Sequence, residues 1–151
     1  MRPKSKQLLV RALLTAIFCG VGIVHFTNAD KFVRNMPPYL PVPMSLVLVS
    51  GVFEILGGLG IWAPWQKLRR LAGFGLVLLL VSVYIVNIDM ALHGSPLRDG
   101  TVVPGGSLVL WLRLPMQFVM MWMAMYATRE LPGEPAPVAV STDDEASPLS
   151  P

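Results

Sequence analysis

Four long apolar stretches constrain this chain more than any other feature of its sequence. They run from about 8 to 26, 43 to 62, 71 to 92 and 108 to 128. A helix needs about 20 residues, at about 1.5 Å each, to cross about 30 Å of hydrocarbon, and each stretch has that length. Because lipid offers no hydrogen-bond partner to an open strand, we predict that all four stretches are helices.

The composition favours lipid over water as the solvent around these helices. Hydrophobic residues make up 54% of the chain and charged residues only 14%, whereas a soluble domain has roughly 25% charged residues. We therefore predict an all-α fold, an integral membrane four-helix bundle over residues 8–128. A short segment, 1–7, precedes the bundle, and residues 129–151 form an acidic, proline-rich tail that has too few apolar residues to order itself.

Lysine and arginine predict the orientation of the bundle. The side that holds both termini carries Arg2, Lys4, Lys6, Arg11, Lys67, Arg69, Arg70 and Arg129, and the opposite side carries Lys31, Arg34 and Arg98. Because basic loops are retained in the cytoplasm, both termini are expected to be cytoplasmic. The basic residues lie at the ends of apolar runs rather than along a stripe, so the lipid bilayer is the expected partner and a nucleic acid is not.

A secretory signal is the alternative interpretation of the first apolar stretch, since a basic start precedes it and small residues follow at 27–29. Arg11 interrupts the apolar run, however, and cleavage would place the basic residues at 67–70 on the wrong side of the membrane. We therefore favour a retained first helix.

Few polar side chains lie inside the four stretches. An ionisable group in a span costs about 2.5–3.5 kcal/mol on insertion scales, so each one needs a partner or a cavity. Counted from the outer helix ends at about 1.5 Å per residue, Asn87 and Arg113 lie about 8 Å deep, His25 near the surface and Glu54 about 16 Å deep. All four are expected in the outer half of the bundle. Gln117 is expected there too, because it follows Arg113 by one helical turn.

A buried arginine keeps its charge and needs an anion. Glu54 is the only carboxylate deep enough in a span to serve Arg113, and glycines flank it at helical spacing. We therefore predict a contact of Arg113 with Glu54, either direct or through water or Gln117. The contact either fixes helix packing or lines a polar pocket in which Arg113 holds a carbonyl or anionic group.

The positions of the other polar residues in the spans can also be predicted. Asn87 is expected to face the same interior, whereas Asp89, about 200 degrees further around the helix, is expected in an exposed pair with His93. His25 is either a proton acceptor for quinol chemistry or a satisfied residue of the membrane interface.

The sequence gives little indication of an intrinsic cofactor. Cys19 is the only cysteine, so no cysteine pair or cysteine-based metal cage is expected. His25 and His93 could bracket a haem, but two histidines alone are weak evidence, and Glu54 lacks the Glu-x-x-His companion of di-iron bundles. We predict no metal and no resident cofactor.

The connection after the first stretch contains four prolines between residues 37 and 43. Proline cannot continue a helix and holds the chain extended or turned. The segment is either a plain connection between two helices or a stiff lid on a cavity that opens outward, with Pro38, Tyr39 and Pro41 as the lid residues.

Motifs along the whole helical region resemble those of the DoxX-like family of bacterial membrane proteins. They are Gly22-Ile-Val-His25-Phe26, Pro38-Tyr-Leu-Pro41, Gly51-Val-Phe-Glu54-Ile-Leu-Gly57-Gly58-Leu-Gly60, Arg70-Leu-Ala-Gly73 and Asn87. The resemblance covers about residues 8–128. It implies a multi-pass protein of the bacterial cytoplasmic (inner) membrane. Some members of the family are membrane subunits of thiosulfate:quinone oxidoreductases, and others associate with superoxide dismutase or a rhodanese-like sulfurtransferase.

Two main hypotheses for the function follow. The first is a subunit or accessory factor of membrane electron transfer or redox homeostasis, in which a quinone-like molecule meets His25, Glu54, Asn87, Arg113 and Gln117. The second is a non-catalytic anchor or assembly subunit for a soluble redox enzyme, alone or as a homo-oligomer. A small-molecule transporter is a weaker third hypothesis, because four spans without an internal repeat leave little room for alternating access.

Overall fold

The computed structural model describes residues 3–34, 36–37, 39–93 and 106–130. The helices in these residues are α1 Pro3–Thr27, α2 Ala29–Arg34, α3 Pro43–Gly60, α4 Gln66–His93 and α5 Gly106–Ala127. No strand occurs in the described ranges, and the predicted all-α fold is confirmed. The tail predicted beyond residue 130 lies outside the described residues.

Helices α1, α3, α4 and α5 correspond to the four predicted spans, and each is long and apolar enough to cross a membrane. Their outward surfaces are oily. Leu9, Phe53, Leu78 and Phe118, one on each of these helices, are all more than half exposed. A continuous apolar exterior of this kind is compatible with lipid and not with water, so the prediction of a multi-pass membrane protein is confirmed.

The long helices alternate in direction around the bundle. Helix α1 packs against α3, α3 against α4, α4 against α5, and α5 closes the bundle against α1. Gln7, near the start of α1, donates a hydrogen bond to the carbonyl of Arg129, just beyond α5, so the two ends of the helical region lie together. We call this end the inner end and the opposite end the outer end. Leu14, Leu76 and Ala124, all fully buried, form the core between α1, α4 and α5.

Two helices extend beyond the predicted spans at the inner end. Helix α1 begins at Pro3 instead of residue 8, and α4 begins at Gln66 instead of residue 71. The predicted limits counted apolar residues, whereas a helix satisfies its own backbone and can continue past the hydrocarbon into water. Proline suits the first position of α1 because an N–H there would have no partner within the helix.

The short helix α2 was not predicted. It follows a turn at Asn28, whose amide donates to the carbonyl of Val24 at 2.9 Å and whose carbonyl accepts from the amide of Lys31 at 3.0 Å. Its six residues are too few to show a hydrophobic period, so the pattern gave no signal. The helix places Phe32 against the outer end of α1, where its ring meets His25.

Glycines allow α1 and α3 to approach closely. A Cβ atom added at Gly22 would lie 2.8 Å from the carbonyl oxygen of Gly51 and 2.7 Å from a side-chain carbon of Ile55. A Cβ atom added at Gly51 would lie 2.9 Å from the Cβ of His25. Backbone stands against backbone here, as in other membrane helix pairs that associate through small residues.

We expect Gly22→Ala to lower the free energy of unfolding by about 1–3 kcal/mol, since the added methyl group meets backbone that cannot turn away. Gly20→Ala is the matched control. It lies on the same helix with nothing within 4 Å of its added Cβ atom, so it should change stability by less than about 1 kcal/mol. Equilibrium unfolding in mixed micelles, followed by circular dichroism, measures both, and equal stability of the two variants would contradict the close approach.

Candidate functional site

The contact between α1 and α3 brings together a histidine and a carboxylate. His25 Nδ1 lies 3.0 Å from Glu54 Oε2, and each residue is only 8% exposed. Both side chains are therefore withdrawn from lipid. Since an ionised group in a membrane span needs a partner, the pairing explains how the bundle tolerates both.

The surroundings of the pair leave one acceptor open. Ser50 Oγ lies 3.4 Å from His25 Nδ1 and donates to the carbonyl of Val47 at 2.8 Å. The 3.0 Å contact of His25 with Glu54 lacks the geometry of a hydrogen bond, and Oε2 is buried with no hydrogen-bond partner among the described residues. A buried carboxyl oxygen without a donor is costly, and it is ready to take a proton or a hydrogen bond.

Phe32 of α2 contacts the His25 ring and also lines an outer groove. The ring of Phe32 stands edge-on to the His25 ring, with centroids 4.1 Å apart and an interplanar angle of 87°. The groove, of about 290 Å³, is lined by Phe32, Val24, Asn28 and Lys31. It combines two apolar walls with an amide and an ammonium group, and it lies one residue along α1 from His25.

The predicted direct contact of Glu54 with Arg113 is wrong, because Glu54 meets His25 instead. Helices α3 and α5 occupy opposite corners of the bundle and do not pack on each other. Arg113 is partly buried on α5 and has no ion pair with any residue that the structure describes.

His25 and Glu54 were expected at different depths, near the surface and near the midplane. Gly22 faces Gly51, so five residues of α1 remain toward the outer end but eight of α3. Side chains lean toward the N-terminus of their own helix, and these two helices run in opposite directions. His25 therefore leans inward and Glu54 outward, and the two side chains meet between their backbone levels.

Asn87 and Gln117 form a second polar contact, between α4 and α5. Asn87 Nδ2 donates to Gln117 Oε1 at 3.1 Å, and Gln117 Nε2 donates to the carbonyl of Leu80 at 2.7 Å. Asn87 thus faces a neighbouring helix, as predicted. The five candidate residues do not form one pocket, since two pairs lie on different helix contacts and Arg113 joins neither.

The proline-rich connection is attached to α4. Tyr39 is 61% exposed, and its hydroxyl donates to Asp89 Oδ2 at 2.7 Å, while Pro37 is fully buried. Pro41 is exposed, and Pro38 lies outside the described residues. The hydroxyl of Tyr39 therefore ties the segment to α4 at the outer end, and its role as a lid stays a prediction. The side chain of His93, the expected partner of Asp89, is also outside the described part.

Sequence reasoning missed a polar cluster at the inner end. Gln7 Nε2 donates to the carbonyl of Arg129 at 2.7 Å. Arg11 Nε donates to the carbonyl of Ala127 at 2.7 Å, and its Nη2 donates to that of Arg129 at 3.1 Å. The last carbonyls of a helix lack partners within it and carry partial negative charge, so an arginine from a neighbouring helix is well suited to them.

Helix α4 adds to the same cluster. Gln66 Nε2 donates to the carbonyl of Thr128 at 2.9 Å, and Gln66 Oε1 accepts from both Nε and Nη2 of the buried Arg69. We call Gln7, Arg11 and Gln66 the C-terminal clamp. The four-residue spacing of Gln7 and Arg11 places them on one face of α1, and this was the signal that could have revealed the clamp.

Residues 14–128 match a family described as Domain of unknown function (DUF8561). The chain belongs to this family. The matched range contains His25, Glu54, Asn87 and Gln117, whereas Gln7 and Arg11 precede it. No curated protein and no solved structure matches the chain. The description of the family gives no function, so the resemblance to the DoxX-like family stays a prediction.

The described part of this family member contains no group of three or more histidine, cysteine or acidic residues that could hold a metal ion. Cys19 instead lies in the contact of α1 with α3, where its Sγ is 4.0 Å from the carbonyl oxygen of Ile55. The chemistry that the site offers is proton exchange by His25 and Glu54, together with hydrogen bonding in the outer groove.

The Tyr39 contact predicts a pH dependence. The hydrogen bond to Asp89 raises the pKa of Tyr39 above its ordinary value of 10.0, and partial desolvation and the negative charge of that carboxylate add to the effect. The bond therefore contributes to stability below pH about 10 and is lost as the pH rises through the raised pKa of Tyr39. Ultraviolet titration of wild type minus Tyr39→Phe isolates this tyrosine, and Asp89→Asn should return its midpoint toward 10. A wild-type midpoint at or below 10 would contradict the contact.

Arg11→Met should lower the free energy of unfolding by about 2–3 kcal/mol, because methionine fills similar space but leaves the carbonyls at the end of α5 without their charged donor. Lys6→Met, an exposed position on the same helix, is the control and should change stability by less than about 0.5 kcal/mol. Thermal unfolding in detergent compares the two. Equal losses would show that the clamp contributes nothing specific.

Proposed function

We propose that this protein is a subunit or accessory factor of membrane electron transfer or redox homeostasis that binds a quinone-like molecule. In this proposal the headgroup occupies the outer groove, and the His25–Glu54 pair exchanges protons with it. The class of function is the one predicted from the sequence, but the ligand lies in the outer groove and not at Arg113.

The observation that carries the proposal is the buried pair itself. Glu54 Oε2 lies 3.0 Å from His25 Nδ1 and has no hydrogen-bond partner in the described structure. Ionisable residues inside membrane spans usually mark proton or substrate paths, because a purely structural role is served at lower cost by neutral groups. A histidine and a carboxyl group each have one form that donates a proton and one that accepts it.

The groove supplies what a quinone ring requires. Val24 and Phe32 offer apolar walls, while the Asn28 amide and the Lys31 ammonium group are hydrogen-bond donors for a carbonyl oxygen. The apolar tail would lie along the lipid-exposed face of α1, where Ile23 is 54% exposed. A ligand can thus enter from the bilayer without crossing the packed core.

The chemistry balances only with an electron donor from outside this chain. Reduction of a quinone to its quinol takes two electrons and two protons. The electrons would come from the redox centre of a soluble partner enzyme that docks at the outer end. Each of the two quinone oxygens would take up one proton, passed in turn from the His25–Glu54 pair, and the pair would be reprotonated from the outer water. In this scheme the protein lies in a bacterial inner membrane with both termini in the cytoplasm.

A membrane anchor or assembly subunit is the second candidate, and the Asn87–Gln117 contact favours it. These two side chains bond to each other and to the carbonyl of Leu80, so they serve packing and leave little for a ligand. If His25 and Glu54 serve packing in the same way, the chain holds a soluble redox enzyme at the membrane without taking part in its reaction.

Infrared difference spectroscopy on an electrode separates the candidates, since the electrode replaces the unidentified electron donor. Purified protein in lipid nanodiscs is loaded with decylubiquinone, which is then reduced and reoxidised. We expect wild type to show a carboxylic acid band that changes with the redox state of the quinone and disappears in Glu54→Gln. Lys31→Met should weaken quinone binding by about tenfold, as expected for loss of one charged hydrogen bond, and Lys4→Met, at the inner end, should not.

The possible outcomes are distinct. No quinone binding to wild type, together with no quinone in gently purified protein, would refute the proposal. Quinone binding without a carboxylic acid band from Glu54 would indicate that His25 and Glu54 serve helix packing, and it would favour the membrane-anchor function. Circular dichroism of each variant shows that the bundle remains folded.

A further inference from the structure

A second groove lies at the inner end of the bundle, between the start of α4 and the end of α5. It has a volume of about 640 Å³. Its basic wall is formed by Lys67, Arg70 and Arg129, and its apolar wall by Leu71, Phe74 and Met125. None of these residues belongs to the quinone site proposed above.

The two helices show the same gradient of polarity along the groove. On α4, Lys67 and Arg70 are followed four residues later by Leu71 and Phe74, so the same face turns from basic to apolar within about one turn, roughly 6 Å. Leu71 and Phe74 are 65% and 64% exposed, so the apolar part of this face is open to a ligand.

Helix α5 runs in the opposite direction, with Met125 in its last turn and Arg129 just beyond its end, so the change from apolar to basic is repeated there. A ligand that satisfies both walls must therefore carry a negative group at the inner end and an apolar chain that points into the membrane.

The charges facing the groove favour an anion. Glu130 is the one carboxylate among the lining residues that the structure describes, and it pairs with Arg70 at 3.0 Å. Both side chains are about two-thirds exposed, at 65% and 61%, and exposed ion pairs of this kind are weak. Arg129 also lies near the Tyr126 ring, 5.8 Å from its centroid. Three cations thus face one weakly held carboxylate.

We propose that this groove binds an anionic phospholipid, with the phosphate at Lys67, Arg70 and Arg129 and an acyl chain along Leu71, Phe74 and Met125. Basic pockets between membrane helices at the cytoplasmic surface bind acidic headgroups in this way. A free phosphate would use only the basic wall, and a lipid with a net neutral headgroup would bring its own cation to a basic surface.

Native mass spectrometry of the full chain tests the proposal, with the protein released from nanodiscs of equal parts phosphatidylcholine and phosphatidylglycerol. We expect wild type to retain phosphatidylglycerol. The double variant Lys67→Gln/Arg70→Gln should bind phosphatidylglycerol at least about tenfold more weakly. The matched control, Lys4→Gln/Lys6→Gln, removes the same charge from exposed positions at the same end, and its affinity should change by less than about threefold.

Two further variants distinguish the lipid from other anions. Glu130→Gln should tighten binding because it frees Arg70. Phe74→Ser should weaken binding of phosphatidylglycerol but not of glycerol phosphate added in solution. If the two double variants weakened binding equally, general surface charge would explain the binding and the proposal would be overturned. Binding of glycerol phosphate as tight as that of the lipid would also overturn it, in favour of a simple anion site.

Discussion

The close approach of α1 and α3 at Gly22 and Gly51 underlies the arrangement of the whole outer half. Lipid gives helices no hydrophobic reason to associate, so contact depends on small residues that allow backbones to touch. The added Cβ distances of 2.8 Å and 2.9 Å show that no larger residue fits at these two positions without movement. The same contact directs His25 and Glu54 toward each other, which means that helix packing and the candidate site have one physical origin.

The two ends of the bundle treat their polar groups differently. At the inner end, the C-terminal clamp supplies donors to the carbonyls at and just beyond the end of α5, and Gln66 Oε1 accepts from the buried Arg69. Side-chain donors and backbone acceptors are matched there, and the result is a rigid closure of α5 against α1 and α4. At the outer end, the described part of the proline-rich connection is joined to α4 by a contact between two side chains, from the Tyr39 hydroxyl to Asp89.

Apolar length predicted the four spans, and the structure has a long helix at each of them. Sequence also named His25, Glu54, Asn87 and Gln117, together with Arg113, as candidates for one polar pocket. It did not predict their pairing, because pairing depends on which helices share an edge of the bundle and on the opposite lean of side chains in antiparallel helices. Charge alone suggested Arg113 for Glu54. Glu54 contacts His25 instead, because α3 packs against α1 and does not pack against α5.

The polar groups of the C-terminal clamp have hydrogen-bond partners, whereas Glu54 Oε2 has none in the described structure. A bundle able to satisfy Arg11 through two carbonyls has the means to satisfy a buried carboxylate as well. Glu54 Oε2 nevertheless has no hydrogen-bond partner in the described structure, although Ser50 stands close enough to the pair to contact His25. Local departures from full hydrogen bonding concentrate at functional sites, where an open acceptor is needed for a ligand or a proton. The proposed exchange of protons with a quinone rests on this open acceptor and on the 3.0 Å approach of His25 Nδ1 to it.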